Sequence, residues 1–474
     1  MIVNISTKDQ RVDAWQKLVD IIESYLEQNQ DPNTPVVKYR SATDLKEELG
    51  LKISESGADS SEVFEEITKY LEYSVRTTHP QFNNQLNAGF NFNALMGEIV
   101  SFIANTSMAT FEIAPVATLI ETKLVEELNK SIGYEDGHGI MVTGGSNANL
   151  MAIHCARTRM FPDAKHSGNP AKDLCIFVSK EAHYSFQKAV SLLGLGLNNL
   201  IKVDSTDQGE MDSNDLENKI NKCIEEGKTP LLIASTAGTT VMGAFDPVSK
   251  NQEIAKKYNL WHHIDGAWGG AALFSDKLRQ RLSGCEESDS FTFDAHKLLG
   301  TGLITSFFLT KDKDIIKETN SGGGGSYLFH EYENSEYDTG AFSLQCGRKV
   351  DSLKFWLTWK ALGHKGLQEF VDAQVSKREH LVNLINEHPR LKMLHDPQFL
   401  NVCFQVLPTE ENVDINKYNF DLRFKLVKEG KYLVNFSSWE DGTVFFRHVF
   451  ANNVTQKQDL EKVIEEIVAL SETM

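Results

Sequence analysis

Apolar and polar positions alternate in three different ways along the chain, and each pattern predicts a different structure. Near the start, apolar residues recur at helical spacing over residues 15–26 and again over 63–71. The polar stretch between them contains Pro32 and Pro35 and is typical of a loop. We therefore predict an N-terminal helical segment over residues 1–84, whose apolar stripe needs a cover such as a partner subunit.

The middle of the chain alternates short, almost unbroken apolar runs with amphipathic stretches of helical length. Runs of this kind are typical of buried parallel strands. Their alternation with helices indicates an α/β domain with a largely parallel sheet covered on both faces. We place this domain at residues 85–355. The predicted strands are 174–179, 231–236, 260–265, 290–294 and 303–309.

The last part of the chain, residues 356–474, predicts a small α+β domain. Its final helix is predicted to open with a capping box from Thr455 to Gln458 and to bury one apolar face. The predicted strands of this domain are 399–407, 432–436 and 443–450.

Composition and charge narrow the classes of protein. Of the 474 residues, 41% are apolar and 24% charged, which is typical of globular chains and not of disordered or fibrous ones. A net charge of −18 repels nucleic acid and anionic lipid, so we expect neither as a partner. No apolar run approaches the ~18 residues of a membrane span, and the N-terminus lacks a secretory pattern. We expect a soluble, cytoplasmic protein.

Neither the cysteines nor the histidines predict a metal site. The six cysteines are scattered and none has CxxC spacing, so reduced thiols are expected. His262 and His263 are neighbours on a predicted strand and point to opposite faces, which prevents them from sharing a metal ion easily.

Candidate chemistry lies where the apolar runs of the middle domain end, because ligands bind at the carboxyl ends of parallel strands. Asp265 and Lys297 each follow such a run, Thr236 ends a third, and His183 lies just beyond a fourth. A Gly-Gly-Ser turn ending at Ser146 opens a helix and could hold a phosphate. Taken singly, each has a simpler explanation, such as a helix cap, a loop acid or a surface lysine.

Together these groups suit one cofactor, pyridoxal 5'-phosphate (PLP). PLP needs a lysine for its aldehyde, an acid for its ring nitrogen, an anion site for its phosphate and a flat partner for its ring. A desolvated lysine has a lowered pKa and becomes a nucleophile, which is the property that the aldehyde requires.

The sequence also resembles the PLP-dependent group II amino-acid decarboxylases, within fold type I. It is most similar to the branch with animal glutamate decarboxylase and cysteine sulfinate decarboxylase. The resemblance implies an aspartate aminotransferase-like fold and a homodimer with active sites at the subunit interface. The matching motifs run in the family's order and include YSVRTTHPQFNNQL (73–86), TAGTTVMGAFDP (236–247), HIDGAWGG (263–270), HKLLG (296–300) and QCGRKVDSLKFWLTWKA (345–361).

The resemblance implies roles around the cofactor. Lys297 would form the covalent bond to the PLP aldehyde, and Asp265 would keep the ring nitrogen protonated. His183 would stack on one face of the ring, with Ala267 against the other. The remaining cofactor residues would be Gly145, Ser146 and His296 at the phosphate and Thr236 beside the ring.

On the substrate side, the resemblance implies that Tyr327 donates a proton and that Arg447, helped by Gln85, binds a substrate carboxylate. Tyr327 follows the Gly-rich stretch 321–326, which suits a lid because glycine tolerates many backbone angles. Arg447 lies among apolar neighbours on a predicted strand, so it needs an anionic partner. That partner is either the substrate or one of the chain's own carboxylates.

The chain departs from the family at several positions. Asp294-Ala295 replaces the usual Asn-Pro, and we leave Asp294 outside the predicted site because a carboxylate repels a phosphate. Asn87 falls where relatives carry serine or an aromatic residue, and Ala109 where they carry phenylalanine or tyrosine. Loss of a ring reshapes the pocket, so the exact substrate does not follow from the family.

The leading hypothesis is α-decarboxylation of an acidic L-amino acid (aspartate, glutamate or cysteine sulfinate) to the amine and CO₂. The alternative is decarboxylation of another amino acid, such as 2,4-diaminobutyrate or an aromatic one. An aminotransferase is disfavoured because the loop tyrosine favours protonation at Cα. A non-catalytic scaffold is disfavoured because Lys297 and Asp265 are both present.

Overall fold

The computed structural model describes residues 7–53, 55–170, 173–322, 329–330 and 332–474. The chain divides into two compact units, each built from separate stretches of sequence. The predicted boundaries at residues 84 and 355 stay a prediction. The first unit comprises Met1–Phe90, Glu379–Leu394 and Cys403–Met474, and the second comprises Asn91–Arg378 and His395–Val402.

The strands and helices are numbered in chain order. The strands are β1 Phe82–Asn83, β2 His138–Val142, β3 Leu174–Ser179, β4 Leu200–Val203, β5 Thr229–Thr236, β6 Trp261–Gly266, β7 Ser290–Asp294, β8 Ser306–Thr310, β9 Leu391–Met393, β10 Asn401–Val406, β11 Leu433–Ser438 and β12 Val444–Val449. The α-helices are α1 Lys8–Gln28, α2 Ala42–Leu49, α3 Ser60–Tyr73, α4 Phe92–Ala104, α5 Pro115–Ile132, α6 Gly145–Met160, α7 Ala164–Ser167, α8 Ser185–Leu192, α9 Ser213–Glu225, α10 Val248–Tyr258, α11 Ile315–Asn320, α12 Ser352–Glu387, α13 Ile415–Glu429 and α14 Lys457–Ser471.

The second unit is built on a seven-stranded sheet in the order β2-β8-β7-β6-β5-β3-β4. Neighbouring strands from β7 through β6, β5 and β3 to β4 run parallel, whereas β8 is antiparallel to both β7 and β2. The predicted α/β domain with a largely parallel sheet is therefore confirmed. All residues of β3, β6, β7 and β8 are buried, which explains their continuous apolar character.

Both faces of this sheet carry a hydrophobic core, and β3 contributes to each. Ile176 and Val178 belong to the cluster that also contains residues of α6 and α8. Cys175 and Phe177 belong to the opposite cluster, with residues of α9 and α10. Successive side chains of a strand point to opposite faces, so one apolar run supplies both cores.

The first unit contains the predicted N-terminal helices and a second sheet, in the order β1-β11-β12-β10-β9. No residue of α1, α2 or α3 is buried, and Trp15 and Tyr70 are exposed. The final helix begins one residue later than predicted, because Gln456 caps it in a box with Asp459. Thr455 instead donates its hydroxyl to the carbonyl oxygen of Pro80 at 2.6 Å.

A membrane-spanning helix was not expected. Among the helices of the described ranges, none is both long and apolar enough to cross a membrane.

Candidate active site

The candidate site begins at the carboxyl ends of three adjacent parallel strands, as the sequence predicts. Thr236, at the end of β5, stands opposite Asp265 on β6, and Asp265 stands opposite Thr292 on β7. Parallel register therefore brings the predicted residues Thr236 and Asp265 side by side. Lys297 follows three residues after Asp294, the last residue of β7.

Asp265 is a buried carboxylate with two hydrogen bonds from the protein. It is 4% exposed, and its Oδ2 accepts from Asn149 Nδ2 at 2.8 Å. Its Oδ1 accepts from the backbone N–H of Ala267 at 3.1 Å, which places the predicted residue Ala267 beside it. These two hydrogen bonds fix the direction of the Asp265 carboxylate.

Asn149, which sequence reasoning missed, connects Asp265 to a buried polar network. Its Oδ1 accepts from Thr292 Oγ1 at 3.0 Å and lies 3.0 Å from His263 Nε2. Burial lowers the pKa of His263 to about 4, although the charge of Asp265 opposes this, so the ring is neutral at neutral pH. No signal in the sequence singled out Asn149, because its partners Asp265, His263 and Thr292 lie on strands remote in sequence.

His183 lies near the same carboxylate and carries a neutral ring. Burial lowers the pKa of His183, the charge of Asp265 raises it, and the charge of Lys297 lowers it further. His183 Nδ1 accepts from the backbone N–H of Ser185 at 3.2 Å, which orients the ring. A neutral, oriented imidazole is suited to stacking on a flat ligand.

Lys297 lies in a pair that the sequence analysis did not foresee. Its Nζ is 3.3 Å from Asp294 Oδ2, and His296 Nε2 is 3.8 Å from the same oxygen. Asp294 is 4% exposed, and its Oδ1 accepts a hydrogen bond from the hydroxyl of Ser306 on β8. Asp294, which the sequence analysis left outside the predicted site, is therefore oriented by Ser306 and lies within ion-pair distance of the predicted residue Lys297.

The Gly-Gly-Ser turn lies against the side chain of Asp294. Gly144 has a φ of 107°, which favours glycine, and α6 begins at Gly145. A Cβ atom on Gly145 would lie 2.9 Å from Asp294 Oδ2 and 3.1 Å from the Cβ of Ala267. Because Gly145 has no Cβ atom, the side chains of Asp294 and Ala267 pack directly against the start of α6. Ser146, next along the helix, is exposed.

The site also offers a polar atom that suits a ligand. The hydroxyl oxygen of Thr236 is buried and has no hydrogen-bond partner in the described part of the chain. A buried unpartnered hydroxyl costs free energy unless another group satisfies it. This hydroxyl, the N-terminus of α6 at Gly145 and the side-chain nitrogen of Lys297 all fit a PLP molecule.

The predicted substrate residues Arg447 and Gln85 belong to the first unit. Arg447 is 7% exposed, and its Nη2 donates to the carbonyl oxygen of Asn84 at 3.4 Å, directly before the exposed Gln85. Burial lowers the pKa of Arg447. Tyr327 and most of the Gly-rich stretch 321–326 lie outside the described residues.

The second unit contains a buried ion pair between Arg348 and Glu121, which sequence reasoning also missed. Arg348 Nη1 donates to both carboxylate oxygens of Glu121, at 2.9 and 3.0 Å. It also donates to the carbonyl oxygen of Met141 at 3.1 Å, and Nη2 donates to Thr339 Oγ1 at 2.8 Å. Arg348 thus joins β2, which leads into the Gly-Gly-Ser turn, to the segment around Thr339.

The fold and the candidate site agree with one class of enzyme. The family model described as "Pyridoxal-dependent decarboxylase conserved domain" matches residues 43–407. The chain belongs to this family and is a PLP-dependent carboxy-lyase, as the sequence analysis predicted.

Curated relatives and a solved structure are similar to this chain over almost its whole length. The chain is 34% identical over 466 residues to human cysteine sulfinic acid decarboxylase, covering 96% of this chain and 94% of the relative. It is 34% identical over 492 residues to human acidic amino acid decarboxylase GADL1, covering 100% and 94%. The crystal structure of mouse CSAD matches with a TM-score of 0.95 at 33% identity, covering 98% of this chain and 99% of that one. The predicted fold type I architecture is confirmed.

Proposed function

We propose that this enzyme removes the α-carboxyl group of an acidic L-amino acid as CO₂ and leaves the amine. Aspartate, glutamate and cysteine sulfinate are the proposed substrates. The observation that carries the proposal is Arg447, a guanidinium on β12 that is only 7% exposed. Arginine keeps its charge even where burial lowers its pKa, so it attracts an anionic group of a ligand. The relatives named for acidic substrates support the same choice.

The cofactor residues are proposed from their positions in the second unit. Bound PLP supplies a conjugated ring that accepts electrons from the bond to the departing carboxylate. Lys297 makes the covalent link to its aldehyde. Asp265, oriented by Asn149 and by the N–H of Ala267, holds a proton on the ring nitrogen. The neutral ring of His183 stacks on one face, and Ala267 packs on the other.

Further residues hold the phosphate and complete the reaction. Gly145, Ser146 and His296 bind the phosphate, and the N-terminus of helix α6, which begins at Gly145, supports this placement. Thr236 lies beside the ring, where its buried hydroxyl gains a partner. Tyr327 gives a proton to the Cα atom of the substrate, an assignment that rests on the family resemblance.

On the substrate side, Arg447 and Gln85 bind the second acidic group of the amino acid. The contact of Arg447 with the carbonyl oxygen of Asn84 supports their joint role, because Gln85 is the next residue. A charge-assisted, two-pronged contact of arginine with a carboxylate or sulfinate distinguishes these substrates from cationic and aromatic amino acids.

We also propose a homodimer with active sites at the subunit interface. The support is an apolar surface along α4 and the start of α5, which a single chain leaves in contact with water. A second copy of the chain would cover this surface. Its exposed apolar residues are Phe92, Met96, Ile99, Val100, Phe102, Ile103, Ile113, Val116 and Leu119.

We place the enzyme in the cytoplasm. All cysteines of the described residues are free thiols, which supports a reducing compartment.

A substrate panel tests the proposed function. The enzyme with PLP is incubated with equal concentrations of aspartate, glutamate, cysteine sulfinate, 2,4-diaminobutyrate and tryptophan, and released CO₂ is measured. We expect release from at least one of the three acidic substrates and a much lower rate with the other two. A preference for 2,4-diaminobutyrate or tryptophan would contradict the proposal and favour the alternative.

An arginine variant tests the residue that carries the proposal. Arg447→Gln keeps a polar side chain and removes the charge, so we expect KM for the acidic substrate to rise more than kcat falls. Arg423→Gln is the matched control, since Arg423 lies on α13 and has no proposed role. Equal effects of the two substitutions would refute the role of Arg447.

A further inference from the structure

Asp294 is a carboxylate at the centre of the proposed phosphate site. Its Oδ2 lies 3.3 Å from Lys297 Nζ and 3.8 Å from His296 Nε2. The same oxygen lies 2.9 Å from where a Cβ atom of Gly145 would stand. Asp294 Oδ1 accepts from the hydroxyl of Ser306 and lies 3.4 Å from the same Cβ position, so Oδ2 is the carboxylate oxygen nearer to the Gly-Gly-Ser turn.

A phosphate ester bound at the Gly-Gly-Ser turn is repelled by the Asp294 carboxylate. Both a phosphate dianion and a carboxylate are negatively charged and only accept hydrogen bonds, so direct contact between them is repulsive. One proton placed between them removes one negative charge and creates a short, strong hydrogen bond. An asparagine at residue 294 would avoid the conflict with its amide N–H, without any proton.

We propose that Asp294 is a phosphate-binding residue and that the phosphate of PLP binds together with one proton shared between Asp294 Oδ2 and a phosphate oxygen. The inference rests on the proposed placement of the PLP phosphate at Gly145. The proton comes from solvent, and no covalent bond of the protein is made or broken. In the free protein, the ammonium group of Lys297 is the partner of Asp294.

The charged groups around Asp294 limit where this proton comes from. Lys297 and His296 belong to the loop that follows β7, whereas α6 contributes only the backbone of Gly145 and β8 only the hydroxyl of Ser306. Burial lowers the pKa of His296, so its ring is neutral at neutral pH and does not neutralise the phosphate.

More distant groups act on the same site. His183 is within electrostatic reach of Asp294, but burial lowers its pKa, so its ring also stays neutral. Lys354 on α12 acts on His296, and its ammonium is paired with Asp351 at 2.8 Å. A proton from solvent, shared between Asp294 and the phosphate, would remove the repulsion between them.

The experiment counts protons taken up on binding. Calorimetry in two buffers with different heats of ionisation, at about pH 8, measures proton uptake when PLP or unphosphorylated pyridoxal binds. The chemistry between the aldehyde and Lys297 is common to both ligands, so their difference isolates the phosphate. The variants are D294N, which keeps the shape of the side chain, and D207N, an exposed control in the same unit.

We expect the parent and D207N to take up about one proton more than D294N with PLP, and no such difference with pyridoxal. The ratio of the PLP dissociation constant of the parent to that of D294N should rise about tenfold per pH unit between about pH 7.5 and pH 8.5. Equal proton uptake by parent and D294N would overturn the inference, as would the same difference with pyridoxal.

The proposed function fails in a different way. If Lys297 does not carry PLP, borohydride reduction of the parent enzyme with PLP leaves no adduct on that lysine, whatever the proton count. An adduct on Lys297 with equal proton uptake by parent and D294N would leave the proposed function intact and refute the inference about Asp294.

Discussion

Asn149 and Asp265 are joined by a hydrogen bond of 2.8 Å from the amide nitrogen to the carboxylate. The orientation of the Asn149 amide follows from its two partners. Its nitrogen donates to Asp265, and its oxygen accepts from the hydroxyl of Thr292. A flipped amide would turn its oxygen toward the carboxylate of Asp265. The carboxylate proposed to keep the ring nitrogen of the cofactor protonated is thus held by a residue on a different element, helix α6.

Removing this amide should destabilise the enzyme. Asn149→Ala leaves a buried oxygen of Asp265 without its partner, and we expect the free energy of unfolding to fall by about 1–3 kcal/mol. Urea denaturation measures the change. Asn221→Ala on the exposed side of α9 is the control and should cost about 0.5 kcal/mol or less. Equal costs for the two variants would show that the bond to Asp265 adds nothing.

Lys297→Ala should abolish covalent attachment of PLP. The lysine nitrogen is the nucleophile for the aldehyde, and alanine has none. Parent and variant are incubated with PLP, reduced with borohydride and digested, and the modified peptide is identified by mass spectrometry. Lys188→Ala, an exposed lysine of α8, should keep the parent's adduct. An unchanged adduct in Lys297→Ala would place the cofactor on another lysine.

Gly145→Ala should weaken PLP binding without unfolding the protein. The backbone at Gly145 tolerates alanine, but the added methyl carbon would stand 2.9 Å from Asp294 Oδ2, at the proposed phosphate site. Overpacking of about 1–3 kcal/mol corresponds to roughly tenfold or greater loss of affinity. A PLP titration followed by absorbance measures it. Gly347→Ala, with its nearest neighbour 3.7 Å away, is the control. Equal affinities would refute the proposed phosphate position.

The ion pair of Arg348 and Glu121 should matter far more than a surface pair. Arg348→Met strands a buried carboxylate, and we expect a loss of about 3–5 kcal/mol in urea denaturation. The double substitution Arg348→Met with Glu121→Gln should recover part of the loss, because the uncompensated charge is gone. Lys349→Met breaks the neighbouring exposed pair with Glu98 and should cost about 1 kcal/mol or less. A similar loss for both single variants would be inconsistent with this account.

His448 should make the enzyme less stable in acid. Its ring is fully buried, both ring nitrogens lack hydrogen-bond partners among the residues described, and burial lowers its pKa to about 3. The unfolded chain binds a proton below about pH 6.5, whereas the folded one does not until about pH 3. Stability from this group is therefore complete above about pH 6.5 and falls as the pH falls.

The substitution His448→Leu tests this pH dependence. Between pH 7.5 and pH 5, the parent should lose about 2 kcal/mol more unfolding free energy than the variant. Comparing the two pH values within each protein removes any constant packing difference. His166→Gln, at an exposed position, should leave the pH dependence of the parent unchanged. A parent-like pH dependence in His448→Leu would exclude this histidine as the cause.

Much of the central sheet could be predicted from the sequence. Strands β3 and β7 begin and end as predicted, because every residue in them is buried and the apolar run is unbroken. β4 was missed because two of its four residues are only partly buried, which weakens the apolar signal. The capping box at Thr455 failed because a contact with distant Pro80 engages that hydroxyl.

The candidate site was predictable only in part. Asp265 could be found because it lies near the end of a strand that the pattern reveals, and Lys297 because it follows the next one. Arg348 and Asn149 could not, because their partners are remote in sequence and only the folded chain brings them together. Asp294 was left out because a carboxylate repels a phosphate unless it is turned away or paired. Its pairing with Lys297 depends on side-chain directions that the sequence does not contain.

The antiparallel direction of β8 limits where an attachment lysine can stand. A parallel neighbour of β7 would require a crossover of about a dozen residues or more, usually with a helix. Here the chain returns through residues 295–305 and pairs again at once, Asp294 with Ser306. Lys297 therefore lies on a short connection that is held at both ends by the pairing of β7 with β8. With Lys297 as the proposed attachment lysine, we expect that moving the amine to a neighbouring position of this connection would not restore activity.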